Sequence, residues 1–262
     1  MGVMVTGILV TIIPMAVTKN ITPIKMTTNK DRHLQPHRLT ACLGAMLCAG
    51  LLMLAVPRFI ATNYTLYPNT AYRLTENILP LTVYENSISD LTSALSWHKQ
   101  ADYWQSLGYF YAELVKSNPY IPEEQKQAHF KNAQAAILEG LALSPVDPYG
   151  WYQLALIDSR LKAPKLAIIN ALRLSFYAGR VEPELVIPRL FFSYDYYNDF
   201  SVDMQKIWQQ QITIAWLFKR PQLVNFVLLH PEAKQLVLNA FINAPDDAKQ
   251  FISLLAAITN KK

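Results

Sequence analysis

The stretch DPYGWYQLALIDSRLKAPKLAIINALRLSFYAG, residues 147–179, decides the fold. Its apolar residues recur at intervals of three and four, the spacing that gathers side chains on one face of a helix, and it lacks the period-two alternation of a half-buried strand. The spacing predicts helices at 148–161 and 164–177, and so short a connection makes them antiparallel neighbours. Trp151, Leu154 and Ala155 on the first helix would face Ala167, Ala171 and Leu174 on the second. Large residues wedge between the two helices, and small ones let them approach.

Working outward, the same periodicity predicts further helices at 75–96, 99–117, 122–143, 182–193, 201–218, 221–229, 231–243 and 245–258. Prolines punctuate them in first-turn positions, where a missing amide costs nothing: Pro122, Pro183, Pro221, Pro231 and Pro245. The acids beside them, Glu123 with Glu124 and Asp246 with Asp247, suit the positive end of a helix. The expectation is an all-α domain over 75–262.

The hairpin at 148–177 has a relative upstream. Trp104, Leu107, Gly108 and Tyr111, followed by Ala133, Ile137, Gly140 and Pro145, repeat its large and small positions around an insertion at 118–122; Leu91, Ala94 and Leu95 fit the closing helix of a third, partial unit. From Ser87 to Tyr177 the chain resembles the tetratricopeptide-repeat (TPR) family, which implies antiparallel helical hairpins stacked as a solenoid. Asp158 departs from that pattern, standing where the family prefers tyrosine, and no proline follows Leu174 at the usual place. An irregular helical bundle is the competing arrangement. The phrases LSPVDPYGW, INALRLSFYAGRVEPELVIPRL and QQQITIAW are similar to membrane-anchored TPR-like proteins of Gram-negative bacteria, some of which accompany exopolysaccharide synthesis and export. That resemblance implies a scaffold in the cell envelope and brings no catalytic residues with it.

The composition points to a membrane. Of 262 residues 52% are hydrophobic and only 16% charged, and the mean hydropathy is +0.11. The net charge of +5 lies entirely before residue 59: Lys19, Lys25, Lys30, Arg32, Arg38 and Arg58 face the single acid Asp31, and the remaining chain is balanced. A basic nucleic-acid-binding domain is thereby excluded. Between Arg38 and Arg58 the run LTACLGAMLCAGLLMLAVP carries no charge, and as a helix it reaches about 28 Å, enough for the hydrocarbon core. We expect a transmembrane helix over 39–60, a juxtamembrane linker over 61–74, and Ala41, Ala45 and Ala49 as a face for helix–helix association. The lipobox-like Leu39-Thr40-Ala41-Cys42 opens the apolar run instead of following one, so acylation of Cys42 is not expected. The uncharged residues 2–18 are either a first span or precede a true start at Met26. Both readings place the basic stretch 19–38 in the cytoplasm and the helical domain outside it, in the periplasm of a bacterium whose inner membrane holds the anchor.

Catalytic signatures are missing. His33, His37, His98, His129 and His230 show no metal-ligand spacing, the two cysteines lie in the span, and neither a glycine-rich phosphate loop nor a G-x-S-x-G elbow occurs. His98 and Asp102 stand at i, i+4, which reads as a surface pair on one helix. We therefore expect a protein that is not an enzyme, binds no cofactor or metal, and acts through envelope protein partners.

Two candidate surfaces remain. If Trp104 and Trp151 are the wedges, the groove-facing residues are Asp102, Gln105, Tyr109 and Glu113, then Tyr149, Tyr152, Leu156 and Arg160. A partner helix or peptide would dock there. The second surface is the aromatic corner Phe191, Phe192, Tyr194, Tyr196, Tyr197 and Phe200, where Tyr194, Tyr196 and Tyr197 could form a sugar platform in a carbohydrate-binding or enzymatic accessory of polysaccharide synthesis, or simply pack a helix corner.

Overall fold

A computed structural model describes residues 35–73 and 79–259. The segment 2–18, the basic residues before Gln35 and the start of the helix expected at 75–96 lie outside the described residues. The described chain is all helical: α1 (Gln35–Arg73), α2 (Leu81–Trp97), α3 (Ala101–Ser117), α4 (Glu123–Leu143), α5 (Pro148–Arg160), α6 (Lys165–Ala178), α7 (Pro183–Tyr194), α8 (Val202–Phe218), α9 (Arg220–Leu229), α10 (Lys234–Ala240) and α11 (Pro245–Thr259). Short 3-10 turns at Tyr197–Asp199 and Pro231–Ala233 separate α7 from α8 and α9 from α10. The described residues fall into two compact units divided between Gly50 and Leu51.

Helix α1 is 39 residues long, and from Thr40 it is long and apolar enough to cross a membrane. None of its apolar window is buried, and Leu43, Leu47, Met53 and Phe59 stand exposed around the helix. Such a surface is unfavourable in water and suits lipid. Cys42 and Cys48 are exposed on it as free thiols.

The linker expected over 61–74 is helical as far as Arg73. Despite Pro68, the helix continues and buries a single stripe, Ala61, Thr65, Pro68 and Ala71, at intervals of four and three. Ala71 enters a core with Tyr84 and Leu91 of α2 and Leu107, Phe110 and Leu114 of α3. The amphipathic period thus outweighs the helix-breaking tendency of one proline, because the stripe has a partner to bury against.

Consecutive helices pack on each other from α2 to α6, the α3–α4 and α5–α6 pairs most extensively. Next-but-one contacts join α3 to α5, α5 to α7 and α7 to α9. Two glycines explain the close α3–α4 pair. A Cβ on Gly108 would lie 2.6 Å from Ile137 Cγ1, and one on Gly140 would lie 3.0 Å from Gln105 Cγ. The α5–α6 turn is closed by a Schellman motif: Ala163 N–H donates to the Asp158 carbonyl at 2.9 Å and Lys162 N–H to the Ser159 carbonyl at 3.1 Å, with Lys162 at φ 56°. The main core runs from α4 to α11 around Trp208, Trp216, Phe226, Phe241 and Phe251, all buried.

Trp104 and Trp151 are half-buried, so they cover the core edge instead of filling it. The indole of Trp151 donates to the Pro145 carbonyl at 2.8 Å, tying α5 to the loop before it. His98 and Asp102 share no helix, because α2 ends at Trp97 and α3 starts at Ala101.

Candidate functional site

A surface cleft of about 580 Å³ opens between α3 and the start of α5. Asp102, Gln105, Ser106 and Tyr109 line one wall, and Asp147, Pro148, Tyr149 and Gln153 the other. Tyr72, at the end of α1, closes one side, its ring edge-on to Tyr109 with centroids 4.8 Å apart. Helix spacing places the α3 residues: 102, 105, 106 and 109 succeed one another at three, one and three, which is one face.

The α5 wall is fixed by its cap. Both carboxylate oxygens of Asp147 accept backbone amides, from Tyr149 at 3.0 Å and Gly150 at 3.1 Å, and Pro148 sets the first turn. Beneath it lies Arg189 of α7, which is 0% exposed. Its guanidinium donates to Ser175 Oγ at 3.0 Å, to the Ser175 carbonyl at 2.5 Å and to the Gly179 carbonyl at 2.7 Å, and it lies over the Phe176 ring at 5.2 Å. These acceptors are at the C-terminal end of α6, where the helix dipole favours a cation. Ser175 donates onward to the Pro148 carbonyl at 2.6 Å, so one buried network ties α5, α6 and α7 together behind the cleft. Burial pushes the Arg189 guanidinium down to about 10, opposed by the Glu182 charge, and it remains protonated at neutral pH.

Burial first, then the charges of Glu182 and Glu184, raise the Tyr149 hydroxyl above its ordinary pKa, with Arg189 opposing. Gln153 lines the cleft, and its Oε1 is buried with no hydrogen-bond partner among the described residues.

Of the residues expected on the groove, Asp102, Gln105, Tyr109 and Tyr149 meet in this cleft. Glu113, Tyr152, Leu156 and Arg160 do not line it. Glu113 pairs with Lys116 at 3.2 Å, one turn along its own helix. Tyr152 is half-buried with its ring edge-on to Phe192 of α7, and burial drives its hydroxyl up to about 12. Leu156 is half-buried and Arg160 exposed beyond it. Counting from the tryptophans missed Tyr72, which belongs to another helix, and Asp147 and Gln153.

The aromatic corner packs inward. Tyr194 meets Phe226 at 5.6 Å and Trp208 at 6.3 Å, Tyr197 meets Trp208 at 4.9 Å, and the Tyr196 hydroxyl bonds Ser159 Oγ at 3.1 Å. The rings needed for a sugar platform at Tyr194, Tyr196 and Tyr197 are half-buried and committed to this core. Among the described residues no three His, Cys, Asp or Glu side chains converge as metal ligands. The sequence matches no protein-family model and no curated protein.

Proposed function

We propose that the protein is a membrane-anchored helical-repeat adaptor whose α3–α5 cleft docks a segment of another envelope protein. The observation that carries this reading is the cleft itself: Tyr109 and Tyr149, with Asp102 and Gln105, meet on two helices that occupy equivalent places in successive hairpins. The next-but-one contacts from α3 through α9 support a TPR-like stack, since such a stack sets the first helix of each hairpin side by side along one face. Tyrosine brings large contact area at low entropic cost, which suits a docking surface. The apolar part of α1 serves as the anchor, with the basic stretch before it in the cytoplasm and the repeat domain in the periplasm. The resemblance to proteins that accompany exopolysaccharide export makes an assembly of that kind the setting.

The test is in-cell crosslinking followed by purification of the anchored protein, comparing the parent with Tyr109→Ala and Tyr149→Ala. Partner recovery should fall by about 5- to 150-fold, the range for losing a docking tyrosine. Equal recovery in all three would reject the cleft as the docking site. Placement is tested by reporter fusions after Leu81 and within 27–35: export of the first and retention of the second are expected, and cytoplasmic activity of the Leu81 fusion would overturn it.

A further inference from the structure

The chemistry of the cleft walls narrows its occupant. Among the described residues its charged lining is Asp102 and Asp147, with no lysine, arginine or histidine. The two Asp147 oxygens are held by the α5 amides, which leaves Asp102 as the accessible carboxylate. Asp102 is exposed, takes part in no ion pair among the described residues, and accepts one long hydrogen bond from Gln100 Nε2 at 3.3 Å. Tyr72, Tyr109 and Tyr149 present ring surface around it. Arg189 lies behind the cleft with its donors engaged on α6 carbonyls, so it offers no donor to an occupant, and at Tyr149 its charge acts against those of Glu182 and Glu184.

We propose that the cleft takes a basic peptide segment, with an arginine or lysine side chain lying across the tyrosine rings and its charge against Asp102. The inference rests on the docking reading above and names its partner's chemistry. A planar guanidinium stacks on tyrosine faces and forks onto a carboxylate, so arginine satisfies both walls at once. An acidic segment would meet like charge, and a purely apolar one would bury Asp102 without compensation.

The experiment selects a phage-displayed random peptide library on the full-length protein in nanodiscs. Enriched peptides should be rich in arginine and lysine and depleted in acids. A synthetic enriched peptide should bind about fivefold or more weaker to Asp102→Asn, lose binding to Ser106→Lys, which puts a cation in the cleft, and weaken as salt rises from about 0.05 to about 0.5 M. Circular dichroism of both variants, matched to the parent, keeps folding out of the result, and if Asp102→Asn misfolds, Ser106→Lys and the salt series carry the test. Three results would overturn the proposal: no enrichment, enrichment of neutral or acidic peptides, or basic peptides indifferent to both variants and to salt. Neutral or acidic peptides that still lose affinity on Tyr109→Ala would leave the docking reading standing and remove only the charge argument. Peptides indifferent to Tyr109→Ala as well would count against both.

Discussion

Arg189→Ala should be among the most damaging single substitutions in the domain. The parent guanidinium is fully buried and satisfies Ser175 Oγ and the Ser175 and Gly179 carbonyls. Truncation leaves the Gly179 carbonyl without its donor and the Ser175 carbonyl with only the Gly179 amide at 3.3 Å; a buried acceptor so deprived costs about 1–3 kcal/mol, and a cavity opens beside Phe176. Removing the charge also relieves its desolvation, which offsets part of that loss. The balance is about 3–5 kcal/mol, or a fall in Tm of about 6–20 °C for a domain of this size. Arg189→Met should lose less, since it refills the volume, and Arg189→Lys should also be destabilising, because one ammonium cannot reach three acceptors set for a planar fork. The assay is urea unfolding of the full chain in detergent followed by circular dichroism, with exposed Arg180→Ala expected within about 0.5 kcal/mol of the parent. An Arg189→Ala variant within about 1 kcal/mol of the parent would refute the claim that this network holds α5, α6 and α7 together.

Further predictions concern single features. Lys162→Gly should stabilise by about 0.5–1 kcal/mol, because Lys162 holds a left-handed conformation that glycine adopts freely; a loss in the same urea assay would contradict the Schellman reading. Asp158 is buried, which raises its carboxyl pKa against the opposing hydrogen bond from Gln134 at 2.6 Å. The folded state therefore holds the proton more tightly than the unfolded chain, and stability falls as pH rises through the carboxylate range and stays lower above it. Asp158→Asn should accordingly raise Tm at pH 7, with the gain closing toward acid pH, and a gain independent of pH would refute the assignment. Tyr152→Ala should lower Tm, because its ring packs on Phe192; an unchanged Tm would return it to the groove-facing residues. Gly108→Ala should destabilise by forcing Ile137 away, and a neutral melt would show that α3 and α4 have room to separate.

Much of the fold was legible because the apolar residues from 99 to 194 recur at three and four, and prolines stand at the starts of α4 to α7. The extension of α1 was less so. Pro68 and the absence of charge make 61–73 read as a linker, and the stripe Ala61, Thr65, Pro68, Ala71 is built of small or polar residues that a hydrophobic pattern does not register. The cleft was half legible for a related reason. Counting along one helix finds Tyr109 and Tyr149, but Tyr72 enters from a different element, and Tyr152 is covered by α7, a helix two places along that no local count includes. Arg189 is invisible by pattern: an arginine in a helix reads as surface, and only the three-dimensional approach to carbonyls 10 and 14 residues earlier gives it a reason to be buried.

The docking role of the α3–α5 cleft is tested most directly by a photo-crosslinking amino acid placed in the full-length protein in cells. Positions 109 and 149 report on the cleft, and position 120, exposed in the loop between α3 and α4, serves as the control. The account predicts one discrete crosslinked partner from 109 and 149 and none from 120, with the captured peptide rich in arginine or lysine. Crosslinks to the same partner from 120 alone, or silence at both cleft positions while the partner still co-purifies, would contradict it.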